Sequence, residues 1–158
     1  MDAEVYSSPS VQSLIGEHFI PVRVHVKQKD EFARLGAKYS AQWTPTTLLI
    51  DGDGTERHRM EGFLPLEDFA SQLLLGRAHA ARAVSSFAEA EERYHEVIER
   101  YPLTDAAAEA QYWAGVSRYK ATGDFHALIE TANAFDGRYQ DSTWAKKASV
   151  WKQKEEAS

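Results

Sequence analysis

Side chains suited to bond-making chemistry are thinly spread here. The sequence holds six histidines, His18, His25, His58, His79, His95 and His126, and no cysteine. No two histidines stand four residues apart, the spacing that turns two imidazoles of one helix toward one ion, and no thiolate can complete a site. A metal site is not expected. His25 and His58 both fall on strand-like segments, where they could be neighbours but are more simply solvated. Asp51, Asp53 and Glu56 lack the twelve-residue spacing and terminal bidentate glutamate of a calcium loop. Asp51-Gly52-Asp53-Gly54 is a polar turn rather than a phosphate cradle. No Ser-His-Asp order and no paired catalytic carboxylate stands out. The only sulfur is in two methionines, and thiol–disulfide exchange needs a thiolate. Catalytic residues, metal ligands and cofactors are all expected to be none.

Residues suited to binding are easier to find. Trp43, Thr44, Pro45 and Thr46 join a loop to an apolar run and form the first candidate contact. A structural turn is the plain alternative. Tyr112 and Trp144 are the second candidate pair, as the lining of a peptide groove, because aromatic anchors mark interfaces as well as cores. Trp113 and Trp151 are assigned to the core between helices. Lys146, Lys147, Lys152 and Lys154 read as a solvated face.

Composition narrows the partners. The 158 residues are 43% hydrophobic and 27% charged, enough for packed cores with a solvated surface. A net charge of −6 argues against nucleic acid, which needs a concentrated basic face. No apolar run approaches the roughly 20 residues that span a bilayer. MDAEVYSSPS lacks the basic and apolar regions of a signal peptide, so a cytoplasmic place is expected.

The first half alternates in period. Pro9 to His18 reads as a helix, with Ser8 as N-cap, Pro9 at the first helical position and Val11, Leu14 and Ile15 as its stripe. Phe19 to Val26 reads as a strand, because Val22, Val24 and Val26 alternate with Arg23 and His25. Asp30 to Tyr39 is a second helix, Thr46 to Ile50 a strand and Thr55 to Met60 its hairpin partner. Gly62 breaks the hairpin, and Pro65 opens a helix buried through Phe69, Leu73 and Leu74. Gly76 is a plausible stop, with residues 77–86 as a linker or lead-in.

Beyond that point only helical period remains. The faces are Phe87, Ala90, Tyr94, Val97, Ile98 and Tyr101; then Ala106, Ala107, Ala110, Trp113, Ala114 and Ser117; then Phe125, Leu128, Ile129, Ala132 and Tyr139; then Ala145, Ala148 and Trp151. A shift of 38 superposes Phe87 on Phe125, Tyr101 on Tyr139, Thr104 on Ser142, Ala107 on Ala145, Ala110 on Ala148 and Trp113 on Trp151. Six matches in register indicate a duplicated helix hairpin. Thr104 and Ser142 stand where each second helix needs an N-cap.

Two resemblances follow from these pieces. EVYSSPSVQSLIGEHFIPVRVHV (4–26), TPTTLLIDGDGTE (44–56) and GFLPLEDFASQL (62–73) resemble the thioredoxin family. ERYP (99–102), AEAQYWAG (108–115), the GDF turn (123–125) and RYQDSTWAKKA (138–148) resemble tetratricopeptide repeats of bacterial envelope-assembly proteins. The fold expected is an α/β thioredoxin-like sheet with flanking helices over 1–76, incomplete at its front. An all-α pair of tetratricopeptide-like hairpins over 77–158 is expected to follow it. The period exceeds the usual repeat of about 34, and Gln140 stands where Pro102 would recur.

The thioredoxin resemblance implies that Pro45 is cis and that the backbone beside it pairs with an extended peptide. It also implies a Cys-x-x-Cys just before the segment matched by residues 1–6. The strand leading to that pair would lie between Phe19–Val26 and Thr46–Asp51. Without it, the two flanking strands pair directly, or an upstream segment or a partner chain, such as a second copy in a homodimer, fills the gap. The function expected is a redox-inactive protein- or peptide-binding adaptor, chaperone-like, tied by ancestry to redox homeostasis. The alternative is the body of a thiol–disulfide oxidoreductase whose cysteines lie upstream of Met1.

Overall fold

In the computed structural model, which describes residues 4–152, helix α1 (Pro9–His18) begins where proline's missing N–H costs nothing. Val11 and Leu14 are its buried face. Ser8 holds the extended N-cap conformation, but its hydroxyl contacts the Ser10 hydroxyl at 2.9 Å and caps no backbone N–H.

Residues 19–26 correct the sequence reading, because they form no strand. Ile20 is 93% and Val22 79% exposed, and the segment runs on to a turn in which Gln28 N–H donates to His25 O at 2.8 Å. A strand exists through its ladder, and alternating valines without a neighbour do not make one. Direct pairing of this segment with Thr46–Ile50 is therefore not found, and His25 and His58 do not share a sheet.

Helix α2 (Lys29–Tyr39) carries Asp30 and Glu31 in its first turn and Lys38 in its last, and buries no residue fully. Its C-terminal carbonyls are held from the following hairpin. The Arg59 guanidinium donates to Tyr39 O, and to Ser40 O at 3.3 Å.

That hairpin joins β1 (Thr46–Ile50) to β2 (Glu56–Glu61), antiparallel, with Thr47 opposite Met60 and Leu49 opposite His58. Asp51 Oδ1 accepts from the N–H groups of Asp53 and Thr55, and Gly54 takes a φ of 86° that its lack of Cβ permits. Buried side chains of this unit include Val5, Val11, Leu14, Leu49, Met60 and Phe69, with Tyr6 edge-on to Phe69 at 5.4 Å.

Helix α3 (Leu66–Ala83) corrects the second expectation, since it runs straight through Gly76. Leu75 and Ala78 are both 0% exposed, and burial on this scale outweighs the roughly 1 kcal/mol that glycine costs a helix. The stop comes at Ser85, at φ 63°, where Ser85 and Ser86 N–H groups close on Arg82 O and Ala81 O.

The chain divides into compact units 1–70 and 71–158, the second entirely helical among the described residues. Helices α4 (Phe87–Arg100), α5 (Asp105–Thr122), α6 (His126–Gly137) and α7 (Thr143–Ala148) pack in sequence, with α5 also against α7, and a 3-10 turn (Ser149–Trp151) closes on α6. Phe125 lies outside the core, 52% exposed at the N-cap of α6, and the buried aromatic of that helix is Phe135. The turns before α5 and α7 repeat one detail at a spacing of 38. Thr104 and Ser142 hydroxyls donate to Tyr101 O and Tyr139 O at 2.8 and 2.7 Å. Only Ser142 also caps, accepting from Ala145 N–H at 3.1 Å; the cap expected of Thr104 is not made.

Helices α3, α4 and α5 meet at a buried polar joint. His79 Nδ1 and Tyr94 Oη are 2.6 Å apart, and His79 Nε2 and Glu109 Oε1 3.0 Å. Arg82 Nε donates to the same phenol at 3.2 Å. Burial pushes the Tyr94 phenol up to about 12, against the pull of Arg82. A phenol harder to ionise in the folded chain than in the unfolded one stabilises fully below its ordinary value near 10, and loses that contribution as pH climbs toward 12. Thermal melts followed by circular dichroism should therefore fall steeply between about pH 10 and 12. Tyr94→Phe should flatten that fall, and should cost about 1–3 kcal/mol at neutral pH by stripping His79 and Arg82 of a buried partner.

Candidate functional site

The first candidate is built on the turn into β1. Thr46 Oγ1 donates to Trp43 O at 2.6 Å, which closes the loop on itself. The Thr44–Pro45 bond is cis. Trp43 is 66% exposed, and Thr44 and Pro45 are exposed beside it, while Thr46 is half-buried. Gly62, at φ 87°, donates its N–H to Pro45 O at 2.8 Å. That bond sets Phe63, 56% exposed, beside the loop. Sequence reasoning missed Phe63. Its signal was an aromatic directly after a chain-breaking glycine, in a stretch read only as a connection.

The same bond fixes which way the strand faces. Antiparallel pairs alternate, so with Pro45 O turned to β2 the backbone groups of Thr47 and Leu49 also turn to β2, and those of Thr46 and Leu48 turn away. β2 is the partner of β1 in this two-stranded sheet, so the other edge of β1 is open among the described residues. An open edge beside exposed apolar side chains is what an extended peptide needs: backbone pairing for affinity and side-chain contacts for choice.

The second candidate lies on the helical unit, where Tyr112, Trp113, Trp144 and Trp151 form one half-buried cluster. Tyr112 is central. It stacks on Trp151 at 4.8 Å, and meets Trp113 at 5.1 Å and Trp144 at 5.2 Å. Ala132, Phe135 and Ala148 form the buried floor against which Tyr112, Trp144 and Trp151 pack. The expected split into core and contact aromatics therefore does not separate these four. Arg82 lies over Trp113, its guanidinium carbon 3.9 Å from the ring centre, and Lys147 over Trp144 at 4.1 Å. Sequence reasoning left Lys147 to a solvated face, weighed His79 only as a metal ligand and passed over Arg82, because cation–π and buried contacts join residues far apart in sequence. Lys154 lies outside the described residues.

An open groove of about 270 Å³ runs along α6 and α7, past Phe135, Gln140 and Lys146, and is crossed by an ion pair from Lys152 to Asp136 at 2.5 Å. Among the described residues no three of His, Asp and Glu converge as cation ligands, and no helix is long and apolar enough to cross a membrane.

Comparison with known proteins adds one finding. Residues 1–76 match the family model described as a thioredoxin-like domain. No curated protein and no solved structure gives a match.

Of the four tryptophans, Trp43 alone is freely reached by water, and the other three are half-buried. Iodide should quench a fluorescence component that disappears in Trp43→Phe. The same variant should keep its stability to within about 0.5 kcal/mol, as exposed substitutions do.

Proposed function

We propose that this chain is a redox-silent thioredoxin-like protein that holds protein or peptide partners in an adaptor or chaperone-like role. The observation that carries the proposal is the open edge of β1, flanked by exposed Trp43, Pro45 and Phe63, in a chain with no cysteine. An extended segment would pair with the outward backbone groups of Thr46 and Leu48 and lay alternate side chains over Trp43 and Phe63. The edge also suits a strand from a second copy, which would make a homodimer. Tyr112 and Trp144 are the proposed contacts of the helical unit, read as two tetratricopeptide-like repeats. The hydroxyl-to-carbonyl bonds shared by Thr104 and Ser142 support that reading of the repeat.

The match over residues 1–76 favours a second reading. In it the chain is the body of a thiol–disulfide oxidoreductase, and the cysteine pair comes from outside residues 1–158.

Two measurements test the first reading. Calorimetric titration with a short peptide of alternating valine and threonine should show saturable binding. N-methylation of alternate peptide nitrogens should abolish it by removing the ladder donors. Trp43→Ala and Phe63→Ala should each weaken it by about 1–2 kcal/mol. Equal binding of the methylated peptide would remove strand pairing from the account. Separately, the purified chain should reduce insulin no faster than dithiothreitol alone, because no thiolate is present to attack a disulfide.

A further inference from the structure

Of the ten described lysines and arginines of the helical unit, five pair with carboxylates, Lys152 among them with Asp136. Arg77 and Arg100 pair with Glu96, Arg93 with Glu89 and Arg118 with Glu130. Lys120, Arg138 and Lys146 have no ion pair among the described residues either, and Arg82 and Lys147 differ from them in position. Each lies over an indole face, and among the described residues neither has an ion-pair partner. Glu109, whose charge acts on the Tyr94 phenol as that of Arg82 does, is engaged by His79 at 3.0 Å.

The two cations belong to one surface. From Arg82 the path runs 3.9 Å to Trp113, 6.2 Å on to Trp144 and 4.1 Å more to Lys147, with Tyr112 against both indoles. This is a half-buried aromatic platform with a positive head at each end. In a chain of net charge −6, such a placement runs against the general field and keeps carboxylate-accepting groups open. Arg82 is held by its Nε bond to Tyr94 at 3.2 Å, which leaves the outer fork of the guanidinium to receive an anion.

We infer that this platform docks an acidic peptide segment, with one carboxylate on Arg82, one on Lys147 and an aromatic or apolar side chain over Tyr112 and Trp144 between them. The path length sets the carboxylates no more than about four residues apart in an extended chain. The inference rests on Tyr112 and Trp144 as contact residues and does not involve the β1 edge. Two cations are too few for a nucleic-acid footprint, and phosphate would reward a longer basic stripe.

The test is calorimetric titration of the full chain with acetyl-Glu-Ser-Phe-Ser-Glu-amide and with its counterpart carrying glutamine for both glutamates. The acidic peptide should bind one to one, and the glutamine peptide roughly tenfold more weakly. Lys147→Met, at an exposed position, should weaken the acidic peptide about fivefold, and a rise from about 0.05 to 0.5 M salt should weaken it further. Arg82→Gln should act in the same direction. Because that change also loosens Tyr94, it is read only beside a circular dichroism spectrum, and Lys147→Met carries the decision. Equal binding of both peptides, an unaltered Lys147→Met titration, no binding at millimolar peptide, or tighter binding of a single-stranded oligonucleotide would each overturn the inference. The valine–threonine peptide keeps the two sites apart: if it binds and the acidic one does not, only this inference falls.

Discussion

Small side chains on α5 set how closely the other helices of the second unit can lie. Ala106, Ala107, Ala108, Ala110, Ala114, Gly115 and Ser117 are all buried, on a helix that packs against α4, α6 and α7. At Gly115 the approach is so close that a Cβ would stand 1.9 Å from Thr131 Oγ1, a distance no side chain tolerates. Helices drawn in this tightly leave no interior volume for an indole. Tyr112 and Trp113 therefore emerge half-buried and gather Trp144 and Trp151 around them. The aromatic platform is a consequence of the tight core beneath it.

The first unit is governed by a different constraint, the demand of backbone groups for partners. A hairpin satisfies one edge of each strand and leaves the rest to neighbours. Here β2 covers one side of β1, and valine-rich residues 20–26 stay out of any ladder. What the hairpin does hold, it holds by side chains. Arg59 reaches Glu56 and Glu61 as well as the end of α2, and Asp51 ties the turn and pairs with Arg57. The same hairpin carries the exposed Trp43–Pro45–Phe63 surface. Surface and edge lie together because the bond from Gly62 to Pro45 joins them.

Local chemistry was legible in the sequence. Proline at the first position of α1, the Asp-Gly turn and the alanine-rich face of α5 act within a few residues, and all three are found where their spacing points. The misreadings are equally physical. Val22, Val24 and Val26 have the strand period, but a ladder needs a second chain segment, which no local pattern supplies. Gly76 has the conformational freedom of a helix stop, yet buried neighbours carry α3 past it to Ser85. His79 looked like any lone histidine, because its partners Tyr94 and Glu109 are 15 and 30 residues away.

By itself, then, the sequence determined the elements whose signals are short-range: helix starts, the hairpin and the helical period after residue 86, in 158 residues that hold no cysteine. Tertiary structure alone decided which strand edge stays open, that Phe63 joins Trp43 and Pro45, and that Arg82 and Lys147 cap a shared aromatic face. The division follows the range of the forces. Propensity and capping are spent within a turn or two, whereas pairing, burial and cation–π contact depend on groups that only folding brings together.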